Sequence, residues 1–246
     1  MFAHEWRSEF EDRTDLALPD GQEALIERVA AANPNTIVVL ETGGPVTMPW
    51  AGRVRAVLEA WYPGSGGGPA IARTLFGDVN PAGKLTVTFP RRLDDIPTGP
   101  APPSDGDAIP YAESLLVGYR WYDAKRIAPQ FPFGHGLSYT SYRYSDLRVE
   151  PGRVSFAIAN TGRRAGSEIA QVYVGLPRQA GEPPKRLVGW VRTELRPGET
   201  RRVSVAIDPA RLWVWDGGWK LLPGDYDVDV GASSRDIRLR ARGLVD

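Results

Sequence analysis

The chain has no cysteine in 246 residues, which excludes disulfides and thiolate-bound metal and leaves the compartment undetermined. Its two histidines, His4 and His135, stand far apart and cannot build a histidine-rich metal site. Charge of one sign is also lacking: 30 Lys and Arg balance 30 Asp and Glu. No global field therefore steers the chain toward nucleic acid or an anionic membrane. No apolar run reaches the length of a membrane span, and the opening "MFAHEWRSEFEDR" lacks the basic and apolar regions of a signal peptide. As written the chain stays where it is made; a longer precursor would put it in the periplasm or outside the cell.

What the chain has in quantity is aromatic: eight tryptophans and nine tyrosines. Such rings fill β-sandwich cores in the ordinary case and line sugar sites in the special one. The length suffices for one full-sized core or two smaller domains. In "LPDGQEALIERVAAANPNTIVVLETGGPVTMPW", Asp20 with Glu23 three positions on predicts a capped helix start. Leu25, Ile26 and Val29 give that helix an apolar face, and Asn33-Pro34 stops it. Thr36 to Leu40 is a continuous apolar and β-branched run, expected of a strand buried on both faces, and Gly43-Gly44-Pro45 turns the chain out of it. A second run, "VRAVLEAWYP", leads into "GSGGGPAIARTLFGD", where Pro69 suits the first turn of a helix and Gly77 its end. This alternation predicts a parallel or mixed sheet covered by helices.

Positions 91–110 are rich in Pro, Asp and Gly and read as an irregular surface loop. Beyond "FPFGHGLSYTSYRY" the texture changes to short alternating segments, "RVSFAIANTG", "SEIAQVYVGL", "RLVGWVRTEL", "RRVSVAIDP" and "DYDVDVGAS", as an antiparallel sandwich requires. The boundary falls near residues 138 to 146, dividing the chain into 1–138 and 139–246. Val154, Phe156 and Ile158, and Tyr226, Val228 and Val230, are the expected core.

Several motifs carry less than they suggest. The run Gly64 to Gly68 lies between strand and helix, where a phosphate could rest, but it lacks a following Lys-Ser/Thr pair and dinucleotide spacing. A tight turn beside a packed surface accounts for it better. "HEWRS" lacks the second histidine of a zinc-protease helix. Ser138 and Ser65 have no histidine and acid arranged around them. The opening itself clusters Glu5, Glu9, Glu11 and Asp12 with two arginines, as a solvated tail or a catalytic loop would.

An ordered string of motifs decides between these. "SEFEDRTDLALPDGQEALI", "ANPNTIVVLETGGPVTMPW", "AVLEAWYPGSGGGPAIARTLFGDVNPAGKLTVTFP", "LLVGYRWYD", "FPFGHGLSYTSYRYSDL" and "NTGRRAGSEIAQVYV" with "LRPGET" together resemble the C-terminal part of glycoside hydrolase family 3, the β-glucosidase and β-xylosidase family. The resemblance runs nearly the whole length. It implies a partial α/β sandwich-type domain followed by an all-β fibronectin type III-like (immunoglobulin-like) sandwich, with the N-terminal (β/α)8 barrel of the family outside this sequence. It further implies a retaining hydrolysis of terminal β-linked glucose or xylose without metal or organic cofactor. In that reaction a barrel aspartate is the nucleophile and a glutamate of the α/β domain is the acid/base.

The matching motif here is Ser8-Glu9-Phe10-Glu11-Asp12-Arg13, so the resemblance assigns the acid/base role to Glu9. A general acid needs a raised pKa, and retention needs its carboxyl roughly 5–5.5 Å from the nucleophile. Asp12 and Arg13 would pin the loop by an ion pair; Trp6 would stack on a sugar ring or cover the loop base. Two positions depart from the family: Phe10 replaces a glycine, restricting the backbone, and Ser65-Gly66-Gly67-Gly68-Pro69 replaces a string carrying a glutamate. No aspartate here resembles the nucleophile motif, so the chain alone is expected to be inactive and to need a separately encoded barrel beside its β-glucoside or oligosaccharide. Two rivals remain at this level. One is a non-catalytic carbohydrate-binding or interaction module using exposed residues such as Trp213, Trp215 or Trp219, and the other is a gene fragment without function.

Overall fold

The computed structural model describes the backbone of residues 2–4 and residues 15–98 and 111–243 in full. The α/β part holds strands β1 (Phe2–His4), β2 (Ile37–Glu41) and β3 (Ala56–Glu59) and helices α1 (Gln22–Ala32), α2 (Gly67–Leu75) and α3 (Tyr119–Lys125). The three strands form a parallel sheet in the order β1-β2-β3. Val38, Val39 and Leu40 are all buried, as a strand covered on both faces requires. Val38 and Leu40 join Ile26 of α1, Val46, Met48, Trp50 and Phe89 in one core cluster.

The helices correct two expectations. Gly21, with φ 70, occupies the cap position of α1, and no side chain caps the helix. Asp20 itself has φ 56, and Glu23 instead accepts from the Leu18 N–H at 3.3 Å. The Asp-Gly pair uses its freedom to turn left-handed, so the carboxylate is carried past the helix end. Leu25 is half exposed, and Ile26 and Ala30 form the buried stripe. Pro69 sits in the first turn of α2, and Gly77 lies past its end at φ 83, as expected of a helix stop. Part of the expected irregular loop is also ordered. Leu93–Asp95 forms a single helical turn in which Asp95, buried, accepts from the Arg92 N–H at 3.2 Å; residues 99–110 lie outside the described residues.

The sandwich part comprises β4 (Tyr142–Glu150), β5 (Arg153–Asn160), β6 (Gly166–Gly175), β7 (Arg186–Leu195), β8 (Thr200–Ala206), β9 (Val214–Trp215), β10 (Trp219–Lys220), β11 (Asp227–Gly231) and β12 (Ile237–Arg242). One sheet runs β12-β11-β6-β7 and the other β4-β5-β8, with β9 and β10 as a separate hairpin. The pairings in both sheets are antiparallel. Inward residues alternate along the strands: Val154, Phe156 and Ile158 on β5 meet Ala170, Val172 and Val174 on β6 and Val228 and Val230 on β11. Tyr226 donates its hydroxyl to the Leu222 carbonyl at 2.7 Å, the backbone-pinning device found at corners of such sandwiches.

The seam between the two parts is polar and buried. Lys84 reaches Glu168 at 3.1 Å, with both side chains at most 10% exposed, and Tyr144 donates to the same Glu168 oxygen at 3.0 Å. Gln171 donates to the carbonyls of Gly134 (3.1 Å) and Ala232 (3.0 Å). Gly134 must be glycine: its φ is +78, and a Cβ would lie 2.0 Å from the Gln171 amide oxygen. Asp123, at the end of α3, sits between Lys185 at 3.2 Å and Arg235 at 2.7 Å. Asn80 donates to Ala165 O at 2.9 Å and accepts from Ser138 and Tyr139.

Lys84→Met would strand the Glu168 carboxylate in a buried seam, so chemical unfolding of that variant should show a loss of about 3–5 kcal/mol. Adding Glu168→Gln should restore most of it. A loss below about 1 kcal/mol, the range of exposed pairs, would show that Lys84 does not balance Glu168.

Candidate functional site

Parallel sheets present their ligand sites outside the carboxyl ends of their strands. Here those ends lie side by side: His4 pairs with Glu41, and Leu40 with Glu59. The chain therefore leaves β1, β2 and β3 along one edge. From β1 it enters the segment that begins at Glu5, from β2 the turn Thr42-Gly43-Gly44, and from β3 the stretch Ala60-Trp61-Tyr62. Trp6, Glu9, Asp12 and Arg13, the residues singled out in the sequence, lie outside the described residues.

Glu59 organises the described part of this edge. Its Oε1 accepts from the Trp61 N–H at 2.8 Å, and its Oε2 lies 3.2 Å from the Thr42 hydroxyl. Thr42, fully buried, also donates to Gly44 O at 2.8 Å. A hydroxyl has one proton, so when Gly44 takes it the Thr42 contact holds only with a proton on Glu59. Burial pushes the Glu59 carboxyl from 4.5 up to about 7, against hydrogen bonds from Trp61 and Thr42 that pull it down. Near neutral pH this carboxyl can hold or release a proton.

The backbone at this edge is constrained. Trp61 has φ 54, unusual for a bulky residue, and its bond to Glu59 holds it there. Its ring packs 6.0 Å from that of Phe89, which is fully buried. Gly43 lies beneath Tyr62 so closely that a Cβ would come 2.0 Å from the tyrosine oxygen. The glycine run behaves as a tight turn: Gly64–Gly66 is a single turn of helix, and a Cβ on Gly67 would lie 2.7 Å from the Pro63 ring.

Ser138 and His135 are structural. Ser138 bonds Asn80. His135 stacks on Phe131 at 5.3 Å, its pKa lowered by burial and by the Lys84 ammonium. Among the described residues no group of three or more His, Asp or Glu could hold a metal ion, and no helix is long and apolar enough to cross a membrane. Glu59, Thr42 and Trp61 were not singled out from the sequence; the signal available was a glutamate ending an apolar strand just before an aromatic pair.

Comparison with known proteins places the chain in a family. The family model described as the glycosyl hydrolase family 3 C-terminal domain matches residues 1–139, and the fibronectin type III-like domain matches residues 168–234. A probable beta-glucosidase I of Aspergillus terreus is 41% identical over 252 residues, covering 95% of this chain and 30% of its own length. Thermostable beta-glucosidase B of Acetivibrio thermocellus is 42% identical, covering 96% of this chain and 33% of its own. Among solved structures, DesR, a beta-glucosidase from Streptomyces venezuelae in complex with D-glucose, superposes with a TM-score of 0.96 at 43% identity, over 100% of this chain and 33% of that one. The chain thus spans about a third of the length of these relatives. It belongs to glycosyl hydrolase family 3, of which it carries the C-terminal domain followed by a fibronectin type III-like domain.

Proposed function

We propose that this chain is the C-terminal portion of a retaining β-glucosidase, supplying the acid/base and relying on a (β/α)8 barrel for the nucleophile. The observation that carries this is family membership, together with relatives named beta-glucosidases that align with 95% or more of the chain. The division of the chain at 138/139 belongs to the same proposal. It is supported by the change from parallel to antiparallel pairing between β3 and β4.

In this reading Glu9, five residues past the end of β1, protonates the glycosidic oxygen as the bond to the anomeric carbon breaks. The barrel aspartate forms the glycosyl ester. Glu9, now ionised, then takes a proton from water, which displaces the ester. Asp12 and Arg13 hold the loop, Trp6 faces the sugar or the loop base, and the substrate is a terminal β-glucoside or oligosaccharide. One carboxyl group cannot perform both roles, so the chain needs the barrel, as part of a longer protein or as a separate partner. Glu59 acts as a brace that ties the turns after β2 and β3 together beside the start of this loop.

Purified alone, the chain should release no phenol from an aryl β-glucoside. Joined to the barrel portion of a family 3 relative it should do so, and Glu9→Gln should lower that rate by roughly 10²–10⁴-fold. Turnover by the isolated chain that disappears in Glu9→Gln, or full activity of the joined Glu9→Gln variant, would overturn the proposal. Glu59 gives a second expectation. Its folded pKa of about 7 lies above the ordinary 4.5, so the folded state binds the proton more tightly. The stability this group contributes is complete below pH 4.5 and falls as pH rises through 7, by up to about 3 kcal/mol. Urea midpoints of Glu59→Gln should match the native chain near pH 4 and exceed it near pH 8; parallel curves would refute the assignment.

A further inference from the structure

Among the described residues four tryptophans are substantially exposed, Trp190, Trp213, Trp215 and Trp219, and all four lie in the sandwich part. Two of them form a unit. Trp215 and Trp219 are direct cross-strand partners on the β9–β10 hairpin, exposed at 66% and 65%, with ring centroids 5.4 Å apart and planes at 77°. They make a right-angled aromatic corner open to solvent.

The hairpin holds that corner firmly. Val214 and Leu212 are buried under it, so the alternation of β9 sends Trp215 outward. Arg186 donates to the carbonyls of Arg211 (3.1 Å) and Trp213 (2.8 Å) and pairs with Glu182, tying the segment to β7. Asp216 and Lys220 pair across the turn at 2.8 Å, both exposed, and leave hydrogen-bonding groups at the rim.

We propose that the Trp215–Trp219 corner is a saccharide-binding site separate from the catalytic edge; the choice of β-linked glucan chains as its ligand rests on the β-glucosidase reading above. A pyranose with equatorial hydroxyls has flat C–H faces that stack on indole, while its hydroxyls meet the carboxylate and ammonium at the rim. Size favours this occupant over a protein. Two indoles offer roughly 300 Å² together, against the roughly 800 Å² that each partner contributes to a standard protein interface. That area suits one or two sugar rings. The charge-paired rim likewise gives neither an anionic nor a cationic partner an advantage.

The test is a titration of the full chain with a soluble cello-oligosaccharide and a soluble laminari-oligosaccharide, read by tryptophan fluorescence and calorimetry. Saturable binding of at least one is expected, weakened at least about tenfold in Trp215→Ala and in Trp219→Ala, the loss of about one stacking contact. Trp190→Ala, an equally exposed indole on β7, should bind as the native chain does, and so should Glu9→Gln, which separates this site from the catalytic proposal. These surface variants should keep the native circular dichroism spectrum. Absence of binding at roughly 10 mM saccharide, unchanged binding in the double variant, or equal weakening in Trp190→Ala would overturn the site. A native dimer that falls apart in the double variant would also overturn it, by assigning the corner to a second copy.

Discussion

The structure depends on the pairing of buried charges across its seam. Glu168 lies in the sandwich and Lys84 in the loop after α2; Asp123 lies in the last turn of α3 and is met by Lys185 and Arg235 from the other side. A carboxylate taken out of water without a partner costs several kcal/mol. Docking buries each of these acids, and it is tolerable there because a cation from the opposite part meets it. An apolar seam would permit sliding, whereas these contacts fix one register. Gln171 reinforces it: held within the sandwich by its bond to the Ala232 carbonyl, its amide also donates across the seam to the carbonyl of Gly134. The sandwich is thereby built into the frame that carries the parallel sheet.

That frame matters because the sheet itself is small. β1 contributes three residues, and a short edge strand holds its position by register with β2 more than by its own strength. What gives the carboxyl edge definition is the brace at Glu59, which holds Trp61 in a left-handed conformation and meets Thr42 at the next turn. A strained aromatic backbone persists only where its surroundings over-determine it. Here the Phe89 ring below, Tyr62 over Gly43, and the carboxyl to the side supply those surroundings. The brace is proton-dependent, which sets it apart from the purely apolar packing of Val38, Leu40 and Trp50 beneath it.

Much of this was legible in the sequence where one periodic signal decides the structure. Thr36 to Leu40 could only be a strand covered on both faces, and β5, β6, β7, β8 and β11 announced themselves by alternation. β4 and β12 did not, because β4 is interrupted at its bulge near Asp146 and β12 alternates with arginine, which reads as surface. Asp20 misled because local side-chain chemistry can favour a cap while an adjacent glycine offers the backbone a left-handed alternative. The seam was invisible for a different reason. Lys84 and Glu168, or Asp123 and Arg235, are individually ordinary charged residues, and only long-range folding brings them together. The acid/base assignment for Glu9 came from family resemblance, since no spacing rule singles one carboxylate out of four.

The two halves meet different chemical demands with the same aromatic residues. On the α/β side Trp50 is fully buried and Trp61 is pinned against Phe89; there the rings fill space and stiffen an edge. On the sandwich, Val, Ile and Phe already fill the core, so Trp215 and Trp219 are not needed for burial and project into water. Keeping two large apolar rings rigid and exposed is unfavourable unless something covers them, and nothing in the packing of β9 and β10 requires their bulk: Val214 and Leu212 beneath, with the Arg186 hydrogen bonds, anchor the hairpin. On the proposed function, an edge that acts on the ends of a glycan gains from a second, weaker contact that holds the polymer nearby, because tethering raises the local concentration of ends. Docking through Glu168 and Asp123 would keep the two proposed contacts at a constant separation, so the seam that stabilises the fold would also set the reach between the proposed saccharide site and the proposed catalytic edge.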